Sequence, residues 1–220
     1  MSVPTTAIPE EALADLPIFP LPQVVLFPHA MLPLHVFEPR YRAMLRDCMG
    51  THRAMAVALI VDPHDKDEHG NPRIARMAGI GFVVEHQALQ DGRSNILVRG
   101  RGRVVLEEAP FVPPYRRARA TLVADVPGTI PAEDRTVLLA TANAFTNDLR
   151  QRDPSFSFRL PQDLEPAILA DLCAHHLIIE ATVRQRILEE LDPRERVRMV
   201  TTDLALQHSL LQREQGEAVN

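Results

Sequence analysis

Arginine is the residue best placed to do chemistry in this sequence, and its spacing is regular. In Leu97-Val98-Arg99-Gly100-Arg101-Gly102-Arg103-Val104-Val105 a guanidinium falls at every second position, and Arg117 and Arg119 repeat the alternation after Arg116. Successive side chains of a strand point to opposite faces, so Arg99, Arg101 and Arg103 are expected on one face, with Val98, Gly100, Gly102 and Val104 on the other. Five guanidinium groups on one sheet face could neutralise phosphates or grip acidic segments of a protein partner. The plainer reading, which we favour, is a solvated face paired with Glu107, Glu108 or the helical half of the chain.

Other reactive groups are sparse. His64, Asp65, Asp67, Glu68 and His69 form the densest set of potential metal ligands. They share one polar loop without thiolates or an identifiable second layer of partners, so it reads as a solvated acidic loop and no metal is assigned. Cys48 and His52 are four residues apart, and Cys173 and His176 three, so each couple could share a helix face. In both cases the thiol falls on an apolar stripe, where a buried, inert cysteine is the default. No paired Cys-x-x-Cys zinc motif occurs. There is no Gly-x-Ser-x-Gly elbow among the five serines. Lys66 is the only lysine, so 23 of the 24 basic residues are arginines. No glycine-rich phosphate loop precedes it, which excludes a Walker-type nucleotide site. A Ser–Lys catalytic pair needs a desolvated lysine, and the acidic loop around Lys66 offers none. No catalytic or cofactor-binding residue is assigned.

The elements that would position these groups follow from composition and periodicity. At 220 residues with 45% hydrophobic and 24% charged residues, the chain is ordinary for a globular protein. Its longest apolar run, Ala54 to Val61, is far short of the roughly 20 residues of a membrane span. The N-terminus lacks the basic start and apolar core of a signal peptide, and with two cysteines a cytoplasmic protein with reduced thiols is expected. The net charge of −5 argues against general nucleic-acid binding.

Between Leu16 and Tyr41 two apolar runs, Val24 to Phe27 and Leu32 to Phe37, are punctuated by Pro17, Pro20, Pro22, Pro28 and Pro33. They read as edge strands or strand ends, because proline cannot donate to a ladder. A helix follows from Pro39, with Tyr41, Met44, Leu45 and Cys48 on one face. Met55 to Val61 is a strand ended by Asp62-Pro63, and Ile74 to Val84 is a second, whose Gly79 and Gly81 predict a bulge or a close backbone approach. Asp91-Gly92 predicts a hairpin into a strand from Ser94 to Glu108, and Tyr115 to Asp125 is another strand. From about Ile130 strand signals give way to helices. The first runs from Pro131 to Arg150, with Val137, Leu138, Phe145 and Leu149 inward. In the second, Asp163 is the cap and Leu164, Ile168, Leu172 and Ile179 form one face. A third carries Val183, Ile187, Leu188 and Leu191. Asp192-Pro193-Arg194-Glu195 reads as cap, proline and acidic third position of a last helix, whose stripe is Val197, Val200, Leu204 and Leu211.

Several phrases resemble the substrate-binding domain at the N-terminus of Lon proteases. They are Leu21-Pro22-Gln23-Val24-Val25-Leu26-Phe27-Pro28, Leu32-Pro33-Leu34 and Glu38-Pro39-Arg40-Tyr41. The hairpin phrase continues the match with Leu89, Asp91-Gly92-Arg93, Ile96, Val98, Gly100 and Arg103, and so does Pro114-Tyr115. Gln185, Leu188-Glu189, Asp192 and Arg196 extend it into the helical part. The resemblance implies an α+β fold: a mostly antiparallel, PUA-like β-barrel over residues 15–125, then a helical bundle over 126–215. Residues 1–14 would be a loose leader and 216–220 a tail. The implied function is a non-catalytic protein- or peptide-binding module, without Lon's ATPase or peptidase parts, whose partners are unfolded or extended protein segments. Phe27, Pro28, Leu32, Phe37 and Tyr41 are the residues expected to line its surface. The alternative is an RNA-binding module using the basic face of Arg99, Arg101, Arg117 and Arg119, with Arg103 structural because it falls at the family's arginine. No membrane association and no cofactor are expected.

Overall fold

A computed structural model of the chain describes residues 8–160 and 163–218. The chain divides into two compact units, residues 1–123 and 124–220. In the first unit a short helix, α1 (Glu10–Ala14), precedes β1 (Leu16–Leu21), β2 (Met31–Val36), helix α2 (Pro39–Gly50) and strands β3 (Ala54–Lys66), β4 (Pro72–Ile74), β5 (Met77–Ala88), β6 (Ser94–Glu108) and β7 (Arg117–Val123). Strands β1, β7, β6, β5 and β3 pair in that order, and β1 pairs in parallel with β3, which closes a five-stranded barrel. The other pairings are antiparallel. Two strands extend beyond the closed ring: β4 pairs with β3, and β2 pairs with the first half of β6.

Two apolar clusters hold this unit. One is built largely of small side chains: Ala54, Ala56, Ala58, Ala78, Ala118 and Ala120, with Leu16, Ile18, Ile80, Val104 and Leu106. Ala12 of α1 belongs to it, so helix α1 packs where a loose leader was expected. The other lies on the opposite sheet face, where α2 places Tyr41, Met44, Leu45 and Cys48 against Phe19, Met55, Val57, Val83, Ile96 and Val98. Pro39 occupies the first helical turn of α2, where its missing N–H costs nothing.

The opening run differs from expectation. The strand is Leu16–Leu21, whereas residues 24–27 form no strand but an irregular segment, half-buried at Val24 and buried from Val25 to Phe27. β1 tolerates Pro17 and Pro20 because it uses each edge over only part of its length, pairing with β7 at Leu16 and Pro17 and with β3 from Ile18 to Leu21. The irregular segment is held by contact with glycines. A Cβ on Gly79 would lie 1.9 Å from the Leu26 carbonyl oxygen, and one on Gly100 1.9 Å from that of Phe27. Only bare backbone admits this crossing. Strand β3 also runs past Asp62-Pro63 to Lys66, because its outer half pairs irregularly with β4. The Asp91-Gly92 hairpin forms as expected: Gly92 has φ +79° and the Arg93 amide donates to Asp91 Oδ1 at 3.0 Å.

The second unit is helical, with no strand among its described residues: α3 (Ala132–Arg152), α4 (Pro166–Leu177), α5 (Ala181–Glu189) and α6 (Pro193–Ala218). Asp192 caps α6, its Oδ1 accepting the Arg194 amide at 2.9 Å. Val197, Val200 and Leu204 of α6 are buried. Helix α6 continues to Ala218, through residues expected to be tail. Three expectations fail here. Asp163 is not a cap, since α4 starts at Pro166 after Glu165, a dipeptide whose proline presets the first turn. The inward face of α4 is Leu169, Ala170, Cys173, Ala174 and Leu177, a register offset from the expected stripe, and Ile179 and Val137 are exposed.

Candidate functional site

The arginine ladder is not one face. Ile80 pairs with Gly102 and Gly81 with Gly100, which leaves Arg101 as an extra residue on β6. That bulge breaks the alternation. Val98 and Val104 would share a face in a regular strand, yet they belong to the two clusters on opposite sheet faces. Arg99 and Arg103 are separated in the same way, and Arg103 is buried. Arg117 is committed to acidic neighbours, with Nη1 2.5 Å from Asp15 Oδ2 and Nη2 3.5 Å from Asp47 Oδ2. Its guanidinium also donates to the Tyr115 hydroxyl and lies over that ring at 4.6 Å. Arg116 holds Glu108 and the Pro72 carbonyl, and Arg119 stands opposite Glu107 on the neighbouring strand. The expected single basic face is therefore divided between two sides of the sheet, and Arg116 and Arg117 are held in ion pairs, in line with the favoured reading of a paired face.

Of the five residues expected to line a binding surface, three are interior. Phe27 and Pro28 are buried, and Tyr41 packs on Phe19 with ring centroids 4.5 Å apart. Leu32 is half-buried against the α2 cluster. Phe37 remains, 58% exposed at the end of β2.

Phe37 borders a surface that the sequence reading passed over. Strands β2, β6 and the second half of β5 form a three-stranded wing outside the closed barrel. Leu32, Leu34 and Val36 face the α2 cluster, so Met31, Pro33 and His35 face the other way, and all three are exposed. Register then builds rows across this open face. Met31 stands beside Arg99 and Phe82, Pro33 beside Leu97 and Glu85, and His35 beside Asn95 and Gln87. The last row is hydrogen-bonded: His35 Nδ1 lies 2.7 Å from Asn95 Oδ1, and Asn95 Nδ2 donates to Gln87 Oε1 at 3.3 Å. Phe37 stacks on the His35 ring with centroids 6.0 Å apart. A cleft of about 420 Å³ opens over the middle, lined by Pro33, Glu85, Gln87, Asn95 and Leu97 among others. A polar row flanked by Met31, Leu97, Phe82 and Phe37 can take apolar side chains along with main-chain amides. The signal for it in the sequence was the alternation Met31-Leu32-Pro33-Leu34-His35-Val36-Phe37.

A larger cleft, about 490 Å³, lies at the other end of β3 between residues 65–73 and the β6–β7 connection. Its charges are used internally. Asp65 pairs with Arg73 at 2.7 Å. Asp67 accepts from the amides of His69 and Asn71 and from Asn71 Nδ2, and these bonds, those from Asn71 foremost, hold its carboxyl below the usual range. The acidic loop is a folded turn in which Asp67 caps the loop's own backbone. Neither cysteine is poised for chemistry. Burial pushes both thiols up to about 12, and Cys48 Sγ donates to the Ala54 carbonyl at 3.2 Å.

The model of the ATP-dependent protease La (LON) substrate-binding domain matches residues 15–205. The chain belongs to that family. The Lon protease of Roseiflexus castenholzii is 29% identical to it over 96% of this chain, and that of Aquifex aeolicus 25% over 87%. The alignments cover 26% and 25% of those proteins, so the chain spans about a quarter of the length of the curated relatives. Among solved structures, a Lon N-terminal domain protein from Xanthomonas campestris matches with a TM-score of 0.63 at 23% identity, over 86% of this chain and 97% of its own. The N-terminal domain of a Mycobacterium avium complex Lon protease matches with a TM-score of 0.65 at 16% identity, over 87% and 98%. At these identities the two structures establish the fold, a Lon N-terminal-domain barrel followed by helices. No helix among the described residues is long and apolar enough to cross a membrane.

Proposed function

We propose that this chain is a non-catalytic protein-binding module that takes unfolded or extended protein segments on the open face of the β2–β6–β5 wing. The family supports a substrate-binding role, and the relatives in which the domain occurs are proteases, whose substrates are polypeptides. The observation that carries the location is the row of Met31, Pro33 and Phe37, solvent-exposed beside Leu97 and the cleft. Contiguous apolar groups rimmed by polar ones are the usual mark of a surface that meets another polypeptide. Two buried thiols suit a reducing, cytoplasmic setting.

The test is equilibrium binding of fluorescently labelled, reduced and carboxymethylated lactalbumin, a chain that cannot refold. Phe37→Ser should weaken it about tenfold, the scale of losing one aromatic anchor. Binding should persist at 0.5 M salt, because apolar burial rather than ion pairing dominates. Equal affinity of wild type and variant would move the site elsewhere. Tight RNA binding abolished by salt and by Arg99→Gln with Arg119→Gln would favour the nucleic-acid reading instead.

A further inference from the structure

Strand β2 pairs with β6 along one edge only. Gly100 donates its amide to the Ala30 carbonyl at 2.9 Å. From that bonded pair, alternation assigns the ladder toward β6 to Leu32, Leu34 and Val36. The amides and carbonyls of Met31, Pro33 and His35 therefore point along the outer edge. Among the described residues no backbone group pairs with them. Pro33 fits this placement, since the position that lacks an N–H is one where β6 needs none. The edge presents two amide donors, from Met31 and His35, and three carbonyl acceptors, from Met31, Pro33 and His35.

We infer that this outer edge of β2 captures a client polypeptide by strand addition, pairing with its main chain while the open face receives alternate side chains. The inference rests on the protein-binding reading above and supplies its mechanism. A row of main-chain donors and acceptors is matched by any extended polypeptide whatever its sequence. That is the chemistry a module needs when its clients share only the lack of a fold. The competing occupant is a second copy of this chain. Two β2 edges related by a two-fold axis bring two copies of Pro33 into the ladder, so two of its amide donors are missing; with the axis at Pro33, the central pair loses both of its hydrogen bonds. A heterologous strand gives up only one, at the single proline, so the edge is better matched to a foreign segment than to itself. Proline at the centre of an edge is also a device that limits self-pairing.

The decisive experiment is residue-resolved amide exchange on the full chain, with and without saturating reduced, carboxymethylated lactalbumin. The Met31 and His35 amides should exchange quickly in the free protein and at least tenfold more slowly with the client bound. Those of Leu32, Leu34 and Val36, already in the β6 ladder, should change little. A paired comparison separates backbone from side chain: His35→Pro, which removes a donor, should weaken binding several-fold more than His35→Ala. If His35→Pro does not fold, exchange on the wild type decides. Client binding that leaves Met31 and His35 exchange unchanged would overturn strand addition while leaving the protein-binding reading intact. Concentration-dependent protection of the same amides without client would assign the edge to a second copy and overturn the inference. No binding of the client at all would sink both.

Discussion

Arg196 has no exposed side-chain surface, yet it carries a charge. Burial opposes that charge, but Nη1 and Nη2 grip the Asp125 carboxylate at 2.9 and 2.5 Å, and Nε approaches Asp171 Oδ1 at 3.0 Å. The Glu190 carbonyl takes a further bond at 2.8 Å. The carboxylates of Asp125, Asp171 and Glu190 outweigh burial and hold the guanidinium above its ordinary value. One side chain thereby joins the start of the helical unit, α4 and α6. Arg196→Met should strand two acidic groups and cost about 3–5 kcal/mol, read from the urea midpoint; a loss below 1 kcal/mol would show that the carboxylates repair themselves with water. The thiols give a pH prediction. Burial keeps Cys48 and Cys173 protonated to about 12 in the folded chain, while an unfolded thiol ionises near pH 8.5. Between those values the folded state binds more protons, so stability falls as pH rises. By pH 10 each thiol should cost about 1–2 kcal/mol. A urea midpoint that falls as far between pH 8 and pH 10 in a Cys48→Ala, Cys173→Ala variant would contradict this. At this scale the Asp192 cap was legible because Asp192, Pro193 and Glu195 stand at the cap, first and third positions of the helix. The burial of Tyr41 was not, because an aromatic on a helix face looks the same whether the core or a ligand covers it.

Strands were legible where local chemistry sets them. Ser94 to Glu108 was bounded correctly because Asp91-Gly92 fixes the turn, and the start and inward face of α2 were legible because Pro39 presets the first turn and the apolar spacing is helical. The arginine ladder was misread for a different reason. A bulge is a property of two strands, and nothing in Arg99-Gly100-Arg101-Gly102-Arg103 alone says that β5 counts one residue fewer there. The segment from Val24 to Phe27 has strand composition but is stopped from pairing by Pro22 and Pro28 and held instead against bare glycines. Gly79→Ala or Gly100→Ala should cost about 3 kcal/mol or more, since each places a methyl on a fixed carbonyl. A neutral result in thermal unfolding would mean that the crossing segment is free to shift. In the helical unit, Asp192→Ala should cost about 1 kcal/mol through loss of the α6 cap; an unchanged urea midpoint would show that solvent replaces it.

For the whole molecule, the family assignment and the geometry carry different parts of the account. The order of phrases along the chain pointed to the barrel and the helices, and the domain match over residues 15–205 agrees. The site was less legible, because which apolar residues stay outside depends on β2 lying beyond the closed ring, a fact of topology rather than composition. The central claim is that unfolded polypeptide docks on the open face and outer edge of the β2–β6–β5 wing. The most direct measurement is chemical-shift mapping on the full chain during titration with reduced, carboxymethylated lactalbumin. Shifts should concentrate at Met31, His35, Phe37, Phe82, Leu97 and Arg99 and spare the acidic cleft around Asp67. Perturbation centred on that cleft or on α3–α6, with the wing unchanged, would contradict the account.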